Sequence, residues 1–189
     1  MKHAYWGTSY NNNQIFDCLK KNEKIIKNQK CSLKLISDNN ELNKIVANDI
    51  FEGKVVGWFQ GKMEWGPRAL GNRSILGDPR RSDMKDILNL KIKRRESFRP
   101  FAPSILREHV SDWFTNDDEV PFMMKVYQIK EDKRLDIPAV THVDGSGRLQ
   151  TVYQETNKKY YDLINEFYKL TKVPIVLNTS FNENEPIVS

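Results

Sequence analysis

Eight of the ten arginines in this 189-residue chain fall between Arg68 and Arg107, while the lysines run from end to end. That window holds eleven basic residues against four acids, a local net of +7 in a chain whose total is +5. The basicity is therefore concentrated. A guanidinium grips two oxygens of a phosphate or carboxylate in one plane, which a lysine ammonium does not do. The window reads as an oxyanion-binding site set in an otherwise ordinary globular chain.

Four constellations carry the candidate chemistry. In Gly61–Ser74, Gly66 and Gly71 let backbone come close to a ligand, and Arg68 and Arg73 stand where they could clamp one anion. The competing reading is a surface loop whose arginines pair with Glu64 and Asp78. In Lys91–Phe101, basic residues alternate with aromatics. Such a run suits RNA, with phosphates on Lys/Arg and bases on Phe98 or Phe101. It equally suits a nucleotide or acyl-phosphate pocket in which Lys93 and Arg99 neutralise developing charge, or a solvated basic helix end. In Thr141–Arg148, His142 and Asp144 would face opposite ways on a strand, which argues against a catalytic couple. Arg148, just past a glycine turn, is the better ligand contact. In Leu177–Asn182, small polar residues follow an apolar strand, where α/β proteins place ligands. Ser180 lacks a G-x-S-x-G setting, so it reads as a hydrogen-bond donor and not as a nucleophile. Neither a Walker A loop nor a Rossmann glycine fingerprint is present.

These residues need elements to hold them. Helical spacing predicts helices over 11–29 and 41–51, the second with Leu42, Ile45, Val46 and Ile50 on one stripe and Gly53 at its C-cap. Lys54–Gln60 reads as a buried strand and Gly61–Gly77 as loop around a short helix. Ser82–Leu90 reads as a helix with Ser82 as N-cap. Pro100 and Pro103 exclude helix around Arg99. Further strands are predicted at 104–106, 122–129 and 139–143, the last pairing with 149–153 across the Asp144–Gly147 turn. A helix over 157–172 should turn Tyr160, Tyr161, Ile164, Phe167 and Leu170 inward. Pro174–Leu177 should be a short strand. Mixed elements of this kind imply an α/β or α+β domain with a mixed twisted sheet.

The composition is 39% hydrophobic and 29% charged, enough for a core and typical of a soluble chain. No run approaches the roughly 20 apolar residues of a membrane span. Cys18 and Cys31 have neither CxxC spacing nor nearby histidines, which points to a reducing cytoplasm with no zinc site and no disulfide framework. The abrupt end after Pro186-Ile187-Val188-Ser189 is read as a cut within a longer polypeptide.

The strings GKMEWGPRALGNRSIL, KIKRRESFRPFAPSIL, PAVTHVDGSGRLQTV and PIVLNTSFNENEPIV, in this order, resemble the C-terminal domain of the NodU/CmcH-type O-carbamoyltransferases, a family that includes the tobramycin carbamoyltransferase. The resemblance implies a YrdC-like α/β domain over 51–189, cut short at its C-terminus, preceded by a helical linker over 1–50. In such enzymes this domain is similar to a carbamoyl-adenylate synthase using carbamoyl phosphate and ATP with Mg²⁺. Carbamate formed from carbamoyl phosphate attacks the α-phosphate of ATP and releases pyrophosphate. The adenylate passes to an N-terminal, ASKHA-like domain, which holds a metal and carbamoylates an acceptor hydroxyl. By resemblance, Lys93, Arg99, Arg148 and Ser180 hold carbamoyl phosphate, ATP phosphates and the adenylate, with Arg68 in the same ring. Arg73, His142, Asn178 and Asn182 match motif positions as further ligand contacts, and no protein metal site is implied here. The segment Asn182-Glu183-Asn184-Glu185-Pro186 departs from the family by lacking a glycine. The partners implied are small molecules and the N-terminal domain, in cis or as a separate chain, without membrane or nucleic acid. The alternative is a non-catalytic RNA- or tRNA-binding YrdC-like module.

Overall fold

The computed structural model describes residues 1–183, so Asn184, Glu185 and Pro186 of the departing segment, and 187–189 after them, lie outside the described residues. Six strands form one open mixed sheet: β1 (Val56–Phe59), β2 (Arg73–Gly77), β3 (Ala102–Leu106), β4 (Lys125–Gln128), β5 (Ser146–Val152) and β6 (Ile175–Ser180). Their spatial order is β1-β2-β6-β3-β5-β4, with β3 and β5 parallel and every other neighbour antiparallel.

Central strands are apolar on both faces, because helices cover both. Side chains alternate across the pleat. Ile75, Ile105, Leu149, Ile175 and Leu177 therefore enter one core, and Leu76, Leu106, Val152 and Val176 the other. The second core is closed by α3 (Asn39–Phe51) and α6 (Lys158–Thr171). Helix α3 starts on Asp38, whose side chain accepts from Asn40 N at 3.0 Å, and ends where Gly53 takes φ +81°. Helix α6 begins on Asn157, its side-chain acceptor for Tyr160 N, and stops at left-handed Lys172. The first core is closed by α4 (Met84–Asp86), a π-helical turn Ile87–Ile92, and α5 (Val110–Trp113). Near the N-terminus, α1 (Asn12–Lys21) carries a reciprocal capping box between Asn11 and Gln14, and α2 (Glu23–Asn28) follows. Neither buries a residue.

Several expectations are corrected. Residues 61–77 contain no helix, and their last five form β2, buried along its whole length. Its opening Arg73 disguised a strand because its charge is cancelled internally. The predicted strand at 139–143 is instead a single 3₁₀ turn, Pro138–Val140. Pro138 sets a turn-compatible φ and has no N–H for a ladder. β5 consequently pairs with β4 and β3. Only Lys125–Gln128 of the longer 122–129 prediction is strand. Asp83, not Ser82, occupies the N-cap of α4. On α6 the buried set is Tyr160, Leu163, Ile164 and Phe167, while Leu170 is 51% exposed. No helix among the described residues is long and apolar enough to cross a membrane.

Candidate functional site

The loop after β1, the loop between the π turn and β3, the start of β5 and the end of β6 meet at one end of the central strands of the sheet. They enclose an inner cavity of about 130 Å³ whose lining includes Arg68, Arg95, Phe101, Arg148, Asn178 and Ser180. An outer chamber of about 380 Å³ shares Arg68, Arg95, Phe101 and Arg148 and adds Arg99, Val126 and His142. Among the described residues, no carboxylate lines either space.

The partners of the arginines set this place apart. Arg73, Arg80, Arg81, Arg94, Arg99 and Arg107 each pair with an acid, and Arg134 donates to Ile129 O and Gln128 Oε1. Arg68 and Arg148 donate to no protein acceptor among the described residues, and the Nε of each is buried. Arg95 donates only its Nε, to the neutral Asn89 Oδ1 at 2.8 Å. Arg68, Arg95 and Arg148, none with an acidic partner among the described residues, all line both spaces. Burial, then the charges of Arg68 and Arg95, pull the Arg148 pKa down; burial, then Arg99, does the same to Arg95, with Glu96 opposing. An arginine stays protonated regardless. The cavity thus holds uncompensated positive charge in a partly dry setting, where an anion is attracted far more strongly than in bulk water.

Arg73 is buried and lies outside both linings. Its Nε meets Glu64 Oε2 at 3.1 Å and its other end meets Gly66 O at 2.6 Å. Glu64 Oε1 also accepts from the backbone of Leu70 and Asn72 at 2.5 and 2.9 Å. This carboxylate organises the loop that presents Arg68. Lys93 is 2% exposed and sits beside the cavity, with its Nζ 2.5 Å from Ser180 O and 2.6 Å from Asn182 O. Asn182 Oδ1 receives both Lys93 Nζ and the Ser180 hydroxyl. Ser180 lines the inner cavity, whereas Lys93 and Asn182 support it from behind. Arg99 reaches only the outer chamber and is held by Glu96 at 2.9 Å.

Asn178 is 1% exposed, and its Nδ2 donates to Ala69 O, Ser104 Oγ and Gln150 Oε1. A backbone carbonyl only accepts, so the amide orientation follows, and Oδ1 is the buried atom left without a partner. His142 and Asp144, expected to diverge, are bridged by Ser146. The Ser146 hydroxyl donates to Asp144 Oδ1 at 2.6 Å and stands 3.2 Å from His142 Nδ1. His142 therefore carries its proton on Nδ1, and its buried Nε2 has no partner. Burial is the main force lowering the His142 pKa; Asp144 opposes it, and Arg148 and Lys85 add to it.

Arg95 was missed by sequence reasoning. It lies in the run Lys93-Arg94-Arg95, and nothing local separates it from Arg94, which points away to Glu183 at 3.1 Å.

A cavity at the ends of the central strands thus gathers three guanidiniums that have no acidic partner among the described residues. The chain belongs to the family described as carbamoyltransferase C-terminus, whose sequence pattern matches residues 47–189. It is 51% identical over 157 residues to nodulation protein NolO of Bradyrhizobium diazoefficiens, covering 81% of this chain and 29% of that one. It is 55% identical over 146 residues to nodulation protein NolNO of Sinorhizobium fredii, covering 75% and 22%. Nodulation protein U of Sinorhizobium fredii is 42% identical over 137 residues, covering 72% and 24%. The chain thus spans between 22% and 29% of the length of these relatives.

Proposed function

We propose that this domain binds carbamoyl phosphate and ATP with Mg²⁺ and joins them into carbamoyl adenylate for a carbamoyltransferase. Water cleaves carbamoyl phosphate to carbamate and phosphate. A carbamate oxygen then attacks the α-phosphorus of ATP, and the α–β bridging oxygen leaves with pyrophosphate. The observation behind this reading is the convergence of Arg68, Arg95 and Arg148, each without an acidic partner, on one cavity. Family membership supplies the carbamoyl chemistry. Both steps build charge on phosphate oxygens, which fixed guanidiniums stabilise without reorganising. Asn178 and Ser180 line the inner space, whose volume suits a group of carbamoyl phosphate's size, and the adjoining outer chamber has room for more of a nucleotide. Arg99 and His142 would meet that part. Transfer to an acceptor hydroxyl would fall to an N-terminal, ASKHA-like domain, in cis or as a second chain, in the cytoplasm where ATP is supplied.

The test is calorimetric titration of ATP-Mg²⁺ with and without carbamoyl phosphate, with pyrophosphate release followed in parallel. Wild type and Arg81→Ala should bind alike, since Arg81 serves only the exposed Asp83. Arg148→Ala should lose most of the affinity. A chain that ignores both ligands but binds RNA with a steep salt slope would establish the RNA-binding alternative. Against that alternative, the unpaired arginines line a cavity and do not form an open strip.

A further inference from the structure

Asn89 occupies an unusual position. It is fully buried, at 0% exposure, on the π-helical turn Ile87–Ile92. Such turns are rare and recur at functional sites, because the wider ring redirects the residues that follow. Here Lys93 N reaches back to Leu88 O at 2.8 Å and Arg95 N to Asn89 O at 3.0 Å. The Asn89 side chain then spans the loop that carries the arginines. Its Nδ2 donates to Ser97 O at 3.0 Å and to Arg99 O at 2.9 Å. Its Oδ1 accepts from Arg95 Nε at 2.8 Å. Arg95 is also seated over the Phe101 ring, 5.1 Å from its centroid.

We propose that Asn89 is the positioning residue of the anion site, holding Arg95 in the cavity through its Nε while leaving both terminal nitrogens for the ligand. The inference rests on reading the cavity as an anion site. Its physical basis is a conflict. Arg95 is repelled by Arg99 and itself repels Arg148, against a smaller attraction to Glu96, whose carboxylate is held by Arg99, so without an anchor it would swing toward solvent. A carboxylate anchor would hold it but cancel the charge the ligand needs. A neutral amide holds it and cancels nothing. The two donor bonds to Ser97 and Arg99 tie down the backbone on which Arg95 rides.

The experiment is a double-mutant cycle read by calorimetry, with inorganic pyrophosphate as the probe and thermal melts of each variant alongside. Arg95→Ala should weaken pyrophosphate binding by about tenfold to a hundredfold, the range for a charged hydrogen bond. Asn89→Ala should weaken it about tenfold in the wild-type chain but less than twofold in the Arg95→Ala chain, because neighbours acting through one group are not additive. A merely structural Asn89 would lower the melting temperature and weaken binding equally in both backgrounds, which overturns the proposal. If Asn89→Ala does not fold, the isosteric Asn89→Asp decides: it should lose about tenfold in affinity because the new carboxylate neutralises Arg95, and unchanged affinity overturns the proposal. A wild type that binds pyrophosphate but neither ATP nor carbamoyl phosphate sinks the catalytic reading and leaves this one to be decided by the cycle. A wild type that does not bind pyrophosphate sinks both.

Discussion

The Glu64 carboxylate and the Arg73 guanidinium form an ion pair at 3.1 Å with side-chain exposures of 0% and 3%, directly behind the loop that presents Arg68. The pair separates two arginines only five residues apart into different tasks. Arg73 is consumed by structure, and Arg68 is left with its charge uncompensated. Breaking a buried pair from one side strands the other charge, at a cost of about 3–5 kcal/mol. Glu64→Gln should therefore lower the urea unfolding free energy by about 3 kcal/mol, since the amide still offers one acceptor. It should also weaken pyrophosphate binding, because the Leu70 and Asn72 amides lose their shared acceptor and the loop loosens. A fully stable variant would mean the pair is not what organises the loop.

Arg148→Ala should move stability and function in opposite directions. Three unpaired guanidiniums in one cavity repel each other, and truncating one relieves that repulsion. The ligand-free variant should unfold at the same or a higher temperature, with a gain of up to about 1 kcal/mol, while anion binding drops sharply. In wild type, added pyrophosphate should raise the melting temperature as its concentration passes the dissociation constant. Scanning fluorimetry with and without the anion separates the two effects. A destabilised Arg148→Ala chain would mean that this side chain packs more than it repels.

His142 gives a pH dependence of definite sign. Burial holds its folded pKa below the ordinary value of 6.5, with Arg148 and Lys85 acting the same way and Asp144 against them. On lowering the pH through 6.5 the unfolded chain takes up a proton that the folded chain still refuses. Stability from this group is therefore whole above pH 6.5 and falls until the pH drops below the folded pKa, where the loss levels off. Urea midpoints from pH 8 to 5 should fall less steeply in His142→Asn than in wild type. Identical slopes would place the titration elsewhere.

Gly71 stands at φ +102°, and a Cβ there would lie 2.1 Å from the Tyr160 ring, which is itself fully buried on α6. Neither partner has room to move. Gly71→Ala should destabilise the chain by about 3 kcal/mol, combining backbone strain with overpacking. Denaturant titration reads it directly, and a loss below 1 kcal/mol would mean the loop shifts freely.

Much of the scaffold was legible in the sequence. The helices α3 and α6 announced themselves by apolar spacing, and β1 and the first part of β6 by short apolar runs, although β1, expected to be buried, is an edge strand that buries only Trp58. β2 was hidden, because an arginine at a strand's start reads as surface until its buried carboxylate is known. The turn at Pro138 was misread because alternation alone does not reveal a missing ladder partner. The concentration of arginine pointed to the loops that bring Arg68 and Arg95 to the cavity, since composition is a local property of the chain.

Which arginines lack an acidic partner was not written there. Charge pairing depends on side chains brought together from distant positions, and the sequence determined only the supply of guanidiniums and the periodic faces that bury the sheet. Folding decided the rest. It gave Arg73 to Glu64 and Arg94 to Glu183, and turned Arg95 onto Asn89 through one wide helical turn. It also carried Arg148 across the sheet to join Arg68. The physical reason is that a charge's worth is set by its neighbours and their dryness, and both are properties of the packed structure alone.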